Sequence, residues 1–184
     1  MERFHDCGSD AVDLRLTPCM DRLTDLSKTE FKIRPATSAD ASAIERLAGE
    51  FANYLHGLGD PTVFHFNATA CLRDGFGKQP HFGILLAEQG DQTIGYLLYH
   101  FGYDTDLAAP NLHIQDLCVA SEDRGRGVGR ALMAAAARLG REAGAAEMVW
   151  AVLHQNTAAF AFYEKLGAKR ITNVAFLKLS VDSL

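Results

Sequence analysis

Residues 112–120 read Leu-His-Ile-Gln-Asp-Leu-Cys-Val-Ala, and residues 124–129 read Arg-Gly-Arg-Gly-Val-Gly. The first run is short and largely apolar, which is typical of a buried strand, and the second places three glycines within five positions. An alanine-rich stretch, residues 130–138, follows directly and favours a helix. This order of strand, glycine loop and helix brings backbone N–H groups to the positive end of a helix dipole, where phosphate binds.

The spacing of these glycines excludes two common phosphate loops. A dinucleotide-binding G-x-G-x-x-G fingerprint fails because its third glycine would have to stand at Arg130 or at Leu132. A P-loop fails because no Lys-Ser or Lys-Thr follows any of the glycines. The spacing that remains is Arg-x-x-Gly-x-Gly, from Arg124 to Gly129, in a loop that can bind phosphate. The alternative is a tight strand-to-helix turn that exposes Arg124.

Composition favours one globular domain that acts on a small molecule. The 184 residues are 48% hydrophobic, which is enough for one core, and the net charge of −5 gives no general attraction to nucleic acid. The four cysteines form no C-x-x-C pair and the histidines have no metal-ligand spacing, so we expect free thiols and no metal. Without an apolar membrane span or a signal peptide, we expect a cytoplasmic protein that does not associate with membranes.

The rest of the chain predicts an α/β fold (an α+β mixed sheet) with helices on both faces. Residues 1–30 have no sustained period and are expected to be an extension, disordered or weakly docked, while residues 31–184 form a single domain. Helices are predicted after Ser38 and Asn67, from the glycine loop to Gly144, and over 158–166. Strands are predicted at 31–34, 83–88, 93–101, 112–120 and 147–153, and as a last pair at 168–172 and 174–181.

Five blocks in this order resemble the diamine and thialysine N-acetyltransferase branch of the GNAT superfamily of acyl-CoA N-acyltransferases. The resemblance implies the GNAT fold, acetyl-CoA as cosubstrate and a homodimer. The blocks are Phe-Lys-Ile-Arg-Pro-Ala-Thr-Ser-Ala-Asp (31–40), Asp-Gly-Phe-Gly (74–77), Gln-Asp-Leu-Cys-Val (115–119), the glycine loop (124–129), and 156–168, which ends Phe-Tyr-Glu-Lys-Leu-Gly-Ala.

The same resemblance implies which residues bind acetyl-CoA. The backbone of Leu117, Cys118 and Val119 would pair with the pantetheine arm as a neighbouring strand would. Asn156 would touch the pantetheine, and Tyr163 would lie beside the thioester sulfur, two helical turns further on. The pyrophosphate would be held by the loop and the start of the following helix, that is by Arg124, Gly125, Arg126, Gly127, Val128, Gly129 and Arg130.

Amine acetylation requires a neutral amine, a stabilised oxyanion and a proton for the departing thiolate. An alkyl amine with a pKa of about 10.4 is neutral in roughly one molecule in a few thousand at pH 7, so we expect Asp116 to act as the base, directly or through water. A backbone N–H near Val119 is the expected oxyanion donor, and Tyr163 the expected acid. The alternatives are that Asp116 only pairs with a neighbour, that Tyr163 is a core aromatic residue, and that Asn156 is only a helix cap.

Substrate-binding residues are expected at Gln115 and Asp116. The diamine branch carries carboxylates at two positions where this chain has Leu55 and Gln115, so a small primary amine or an amino-acid-like amine is favoured over a polyamine. The predicted function is direct transfer of acetyl from acetyl-CoA, in a ternary complex, to a primary amine of a small molecule, either a diamine or polyamine or an amino-acid-like amine. The alternatives are a non-catalytic acyl-CoA or protein-binding module and a protein or peptide N-acetyltransferase.

Overall fold

The computed structural model describes residues 30–183. The extension expected over residues 1–30 lies, except for Glu30, outside the described residues. The strands are β1 (Lys32–Pro35), β2 (Gly83–Gln89), β3 (Gln92–Asp104), β4 (Ala109–Val119) and β5 (Glu147–Val149). The helices are α1 (Ala41–Gly57), α2 (Ala68–Gly75), α3 (Val128–Glu142) and α4 (Thr157–Lys165).

The five strands form one mixed sheet in the order β1-β2-β3-β4-β5. The first three pairings are antiparallel, and β4 pairs with β5 in parallel. The parallel pair is joined by α3, as a parallel pair requires a crossover connection. The predicted α/β fold with a mixed sheet is confirmed.

Apolar side chains cover both faces of this sheet, because alternate residues of each strand point to opposite sides. Ile44 and Leu47 of α1 pack with Tyr96 of β3 on one face. Leu132 of α3 packs with Leu97 and Leu112 on the other. Side chains on β4 are therefore divided between an α1 face and an α3 face.

A β-bulge in β4 sets which residues face α1. Leu98 pairs with Asp116, whereas the next residue of β3, Tyr99, pairs with Ile114, so Gln115 is the extra residue on β4. After the bulge Asp116 lies on the same face as Leu98, among the residues that pack toward α1. Without the extra residue, the alternation would place the carboxylate on the α3 face.

The parallel pairing between β4 and β5 is short. It covers only 111–113 of β4 against Glu147–Val149, so the expected strand over 147–153 ends after Val149. Within residues 30–183, no strand pairs with 114–119 on the β5 side of β4. This opens the sheet beside the carboxyl end of β4.

The predicted strand pair at 168–172 and 174–181 does not form within the described chain, and that prediction is wrong for the single chain. A strand requires a neighbour, and the only nearby candidate in sequence, β5, is three residues long. The apolar side chains that gave the strand pattern lie exposed instead, with Leu177 96% and Phe176 80% accessible. The exposed large residues of this segment are Ile171, Val174, Phe176, Leu177, Leu179 and Val181.

Candidate active site

The glycine loop connects the open end of β4 to α3. Gly125 and Gly127 have φ of +78° and +89°, a region that other residues rarely adopt, and Gly127 is the N-cap of α3. The first turn of a helix leaves its N–H groups without intrahelical partners. Within residues 30–183, no loop or turn hydrogen bond uses the backbone N–H of Gly125, Gly127, Val128, Gly129 or Arg130. These N–H groups are available to an anion at the positive end of the helix dipole.

The arginine side chains of the loop are engaged with the protein. Arg126 forms an ion pair with the buried carboxylate of Asp123 and donates to Gln89 Oε1 at 3.1 Å. Arg124 donates from Nε to the carbonyl oxygen of Val119 at 3.1 Å, and its guanidinium lies 4.8 Å from the centroid of the Tyr54 ring. These contacts hold the shape of the loop, so its backbone is the principal donor surface for phosphate.

The strand that precedes the loop has a backbone edge that is open to a ligand. Leu117 and Val119 pack toward α3, whereas Cys118 is buried toward α1. The Cys118 thiol donates to the carbonyl oxygen of Leu47 at 3.4 Å, and burial raises its pKa to about 12. A thiol that stays protonated is a poor nucleophile, so this segment fits a backbone role.

Asp116 is a partly buried carboxylate on this strand, directly before Leu117. Desolvation raises its pKa to about 6, and the hydroxyl of Tyr96, which donates to Oδ2 at 3.2 Å, partly opposes that rise. A carboxyl group with such a pKa exchanges a proton near neutral pH, as a general base must. Gln115, at the bulge, is exposed and uncharged.

Asn156 caps α4 and connects it to α1. Its side-chain Oδ1 accepts hydrogen bonds from Ala159 N at 3.1 Å and from the Tyr54 hydroxyl at 2.9 Å. The residue is only 8% exposed. Asn156 is therefore a helix cap, and the bond to Tyr54 is a second role that capping alone does not require.

Tyr163 lies on α4 and is half-buried against the α3 face of the sheet. Its ring packs against Trp150 at 4.9 Å and Phe162 at 5.0 Å between centroids. Burial raises the pKa of its hydroxyl to about 12, so the proton is retained at neutral pH. The ring contacts agree with the interpretation that Tyr163 is a core aromatic residue. The protonated hydroxyl agrees with the interpretation that Tyr163 is the acid.

Two tyrosines that the sequence did not single out join the predicted site residues. Tyr54 contacts both Asn156 and Arg124, and Tyr96 contacts Asp116. Neither carried a recognisable signal, because Tyr54 continues an amphipathic helix and Tyr96 an apolar strand. Among the described residues, no hydrogen bond links Asp116 to Tyr163 directly.

Two further searches concern the described part of the chain only. No group of three or more His, Cys, Asp or Glu side chains within residues 30–183 is placed to hold a metal ion. Over the same residues, every helix is too short or too polar to cross a membrane.

Comparison with known proteins identifies the family of this chain. The chain is 34% identical over 148 residues to the thialysine N-epsilon-acetyltransferase of Bos taurus, covering 76% of this chain and 85% of the relative. It is 30% identical to the human spermidine/spermine N(1)-acetyltransferase-like protein 1 over 75% of this chain and 20% of that protein. The fold matches an integron cassette protein from the mobile metagenome of V. cholerae with a TM-score of 0.70 at 20% identity, covering 82% of this chain and 93% of the other. Residues 44–168 match the model of the acetyltransferase (GNAT) family, and the chain belongs to that family.

Proposed function

We propose that this acetyltransferase transfers the acetyl group of acetyl-CoA to a primary amine of a small molecule by direct attack in a ternary complex. The observation that carries the proposal is Asp116, a partly buried carboxylate on the strand that leads into the glycine loop, whose pKa desolvation raises to about 6. Cys118 lies two residues from Asp116, and burial raises the pKa of its thiol to about 12. A thiol that stays protonated is a poor nucleophile, which disfavours an acyl-enzyme intermediate.

The residues present fit acetyl-CoA. Bound acetyl-CoA supplies the thioester carbonyl that the amine attacks. The N–H groups of Gly125 and of 127–130, which enter no loop or turn hydrogen bond within residues 30–183, fit a pyrophosphate. A side chain added at Gly125 or Gly127 would point into open space, so the loop surface is accessible. The unpaired edge of 114–119 fits the amide groups of a pantetheine arm.

Each chemical requirement is matched by a residue of this chain. Asp116 takes a proton from the ammonium group of the acceptor, directly or through a water molecule, and the neutral amine that results attacks the thioester carbonyl. A backbone N–H near Val119 donates to the developing oxyanion, because the edge of β4 is unpaired there. Tyr163 donates its proton to the departing thiolate, and Asn156 orients the pantetheine through the part of its amide that does not cap α4.

The proposed acceptor is a small primary amine or an amino-acid-like amine. Relatives of this chain carry names that refer to thialysine and to spermidine and spermine. At the two positions where that branch has carboxylates, this chain has Leu55 and Gln115, which cannot pair with a second ammonium group. This favours acceptors with one reacting amine over polyamines.

We also propose that the protein is a homodimer. The exposed apolar segment 171–181 has a strand-like sequence without a strand neighbour, and β5 is an edge strand. Two copies can satisfy both features reciprocally, each adding its segment to the β5 edge of the other in an isologous contact. The cytoplasmic location and the absence of nucleic-acid partners stay predictions from the sequence.

Release of free CoA tests the proposed reaction. Acetyl-CoA is incubated with the purified protein and a panel of monoamines, amino acids, polyamines and peptides, and thiol release is compared with an amine-free control. We expect release with small amines that exceeds both the amine-free and the peptide samples. Tight acetyl-CoA binding without release across the panel would establish the binding-module alternative, and release with peptides alone would establish a protein acetyltransferase.

A further inference from the structure

The face of β4 that carries Asp116 continues with two more polar residues. In the register with β3, Leu98 pairs with Asp116, His100 with His113 and Gly102 with Asn111. Because successive pairs two residues apart on β3 share a face, the side chains of Asp116, His113 and Asn111 all lie on the α1 face. Each step of two residues spans about 6.8 Å along a strand. His113 and Asn111 therefore follow Asp116 at roughly 7 and 14 Å.

Both residues have a buried polar atom without a hydrogen-bond partner. Among the described residues, Oδ1 of Asn111 and Nδ1 of His113 are the two buried side-chain N or O atoms that lack one. Buried polar atoms are nearly always hydrogen-bonded, and leaving one unsatisfied is strongly unfavourable. Two such atoms on one strand face, two residues apart, fit a shared partner that lies outside residues 30–183 of this chain.

The surroundings hold these two side chains in place. The imidazole of His113 stacks on that of His100 with 4.8 Å between centroids and 7° between planes. Gly102, which pairs with Asn111, has no side chain to displace the amide, because a Cβ there would lie 2.6 Å from Asn111 Oδ1. The stack sets the orientation of His113 before a ligand arrives, which lowers the entropic cost of binding, and Gly102 leaves the space that the Asn111 amide occupies.

The chemistry of the two groups selects a hydrogen-bond donor. Burial and the neighbouring His100 lower the pKa of His113, which keeps the imidazole neutral at pH 7. The neutral imidazole that carries its proton on Nε2 offers a lone pair at Nδ1, and an amide oxygen only accepts. An ammonium group would lose its hydration to two neutral acceptors, whereas a neutral N–H group loses much less. A carboxylate on the ligand only accepts hydrogen bonds, so it could not bond to the Asn111 oxygen or to the lone pair of His113.

We propose that Asn111 and His113 form a subsite for a neutral N–H donor, such as an amide, carried by the acceptor about 7 Å or more from its reacting amine. This subsite rests on the proposed acetylation of a small amine, whose reacting nitrogen lies near Asp116. It assigns specificity to the end of the acceptor that does not react.

A matched series of acceptors tests the subsite. The series is n-pentylamine, 5-aminopentanamide and 5-aminopentanoate, which share one reacting amine and differ only in the remote group. We expect kcat/KM for the amide to exceed that for n-pentylamine by roughly 5- to 10-fold, about one hydrogen bond, and the carboxylate to show no gain. A preference for the carboxylate, or equal rates for all three, would overturn the subsite.

Two substitutions test whether Asn111 and His113 cause the higher kcat/KM of the amide. His113→Phe, roughly 7 Å from Asp116, should bring the ratio of amide to n-pentylamine close to 1. Asn111→Leu, roughly 14 Å from Asp116, should do the same for the longer pair 9-aminononanamide and n-nonylamine. Because each removes an unpaired buried atom, the melting temperature should stay the same or rise. A purely structural role would instead lower it and leave the ratio unchanged, which would contradict the proposal. Tyr103→Phe, at the same end of the sheet but on the α3 side, serves as the control and should keep the wild-type ratio.

A third substitution covers the case in which those variants do not fold. Gly102→Ala places a Cβ against the Asn111 amide and should reduce the ratio of the longer pair by displacing that amide alone. If no amine of the series releases CoA, the proposed reaction is wrong, and the subsite is then measured by calorimetric binding of pentanamide to the wild-type protein and to Asn111→Leu. Weaker binding to the variant supports the subsite, and equal or absent binding to both overturns it.

Discussion

At the scale of the residue, Asp116 depends on two effects of opposite sign. Burial among the residues facing α1 raises the pKa of its carboxyl group, because removing a carboxylate from water is unfavourable, and the Tyr96 hydroxyl lowers it by donating to Oδ2. The sequence identified Asp116 as a candidate because a carboxylate interrupts an apolar run. It could not supply the pKa, since Tyr96 is twenty residues away in the chain.

The first prediction concerns the pH dependence of Asp116. A base must be deprotonated, so kcat/KM should fall as the pH falls through about 6. Tyr96→Phe removes a hydrogen bond that stabilises the carboxylate, so the midpoint of this fall should move upward by up to about one pH unit. The measurement is the ratio of variant to wild-type kcat/KM from pH 5 to 8, in which titration of the amine cancels.

Controls for this pH experiment come from the same strands. Tyr99→Phe removes a hydroxyl on the opposite face of β3 and should leave the midpoint in place. Asp116→Asn should lower kcat by roughly 100-fold and abolish the fall near pH 6. A midpoint that persists in Asp116→Asn would assign the base to another group.

The second prediction concerns Tyr163. Its hydroxyl keeps its proton at neutral pH because burial raises its pKa to about 12. Tyr163→Phe retains the ring that packs against Trp150 but removes the acid, so kcat should fall by roughly 100-fold while the KM for acetyl-CoA changes little. Steady-state kinetics measure both. An unchanged kcat would show that Tyr163 is a core aromatic residue only.

At the scale of the element, the short pairing between β4 and β5 leaves the backbone edge of β4 open at the candidate active site. The sequence indicated the strand, the glycine loop and α3 in their correct order. It overestimated β5, because the apolar run 147–153 satisfies a strand pattern over its whole length while only Glu147–Val149 finds a partner. Where β4 and β5 separate, the backbone of 114–119 is left open beside the loop. Backbone pairing depends on how two strands lie against each other, and the residues of one strand do not specify where the pairing ends.

The third prediction concerns the shape of the glycine loop. Gly127 has φ of +89°, and a non-glycine residue in this left-handed region costs about 1–2 kcal/mol. Gly127→Ala should raise the KM for acetyl-CoA by roughly tenfold through distortion of the loop, while the KM for the amine is little affected. Gly144→Ala is the matched control, since Gly144 also has positive φ, +76°, and open space around it. An equal effect of both substitutions would indicate a general loss of stability.

At the scale of the whole molecule, the segment after α4 is the clearest departure from the sequence-based prediction. Its apolar residues have strand character but lie exposed, because no neighbouring strand within residues 30–183 accepts them. Monomeric proteins rarely expose large apolar patches, whereas a standard interface buries about 800 Å² on each partner. The proposed homodimer resolves this exposure with a second copy.

The fourth prediction tests that assembly. Leu177→Asp, at the most exposed large apolar residue of the segment, should convert the dimer to a monomer, because a charge would be buried at the interface. Light scattering coupled to size-exclusion chromatography measures the mass. Leu107→Asp, a half-exposed leucine in the turn between β3 and β4, is the control and should remain dimeric. A wild-type protein that is monomeric at all concentrations would contradict the proposal.

Local features of this protein follow from its sequence alone. Some features depend only on neighbours within a few residues, so the sequence predicts them directly. These are the glycine loop, the cap at Asn156 and the alternation along β3 and β4. Other features depend on residues that only folding brings together. These are the contact of Tyr54 with Asn156, the pKa of Asp116 beside Tyr96, and the pairing of His100 with His113. They arise because the register and the bulge decide which side chains share a face, and burial decides which of them remain charged.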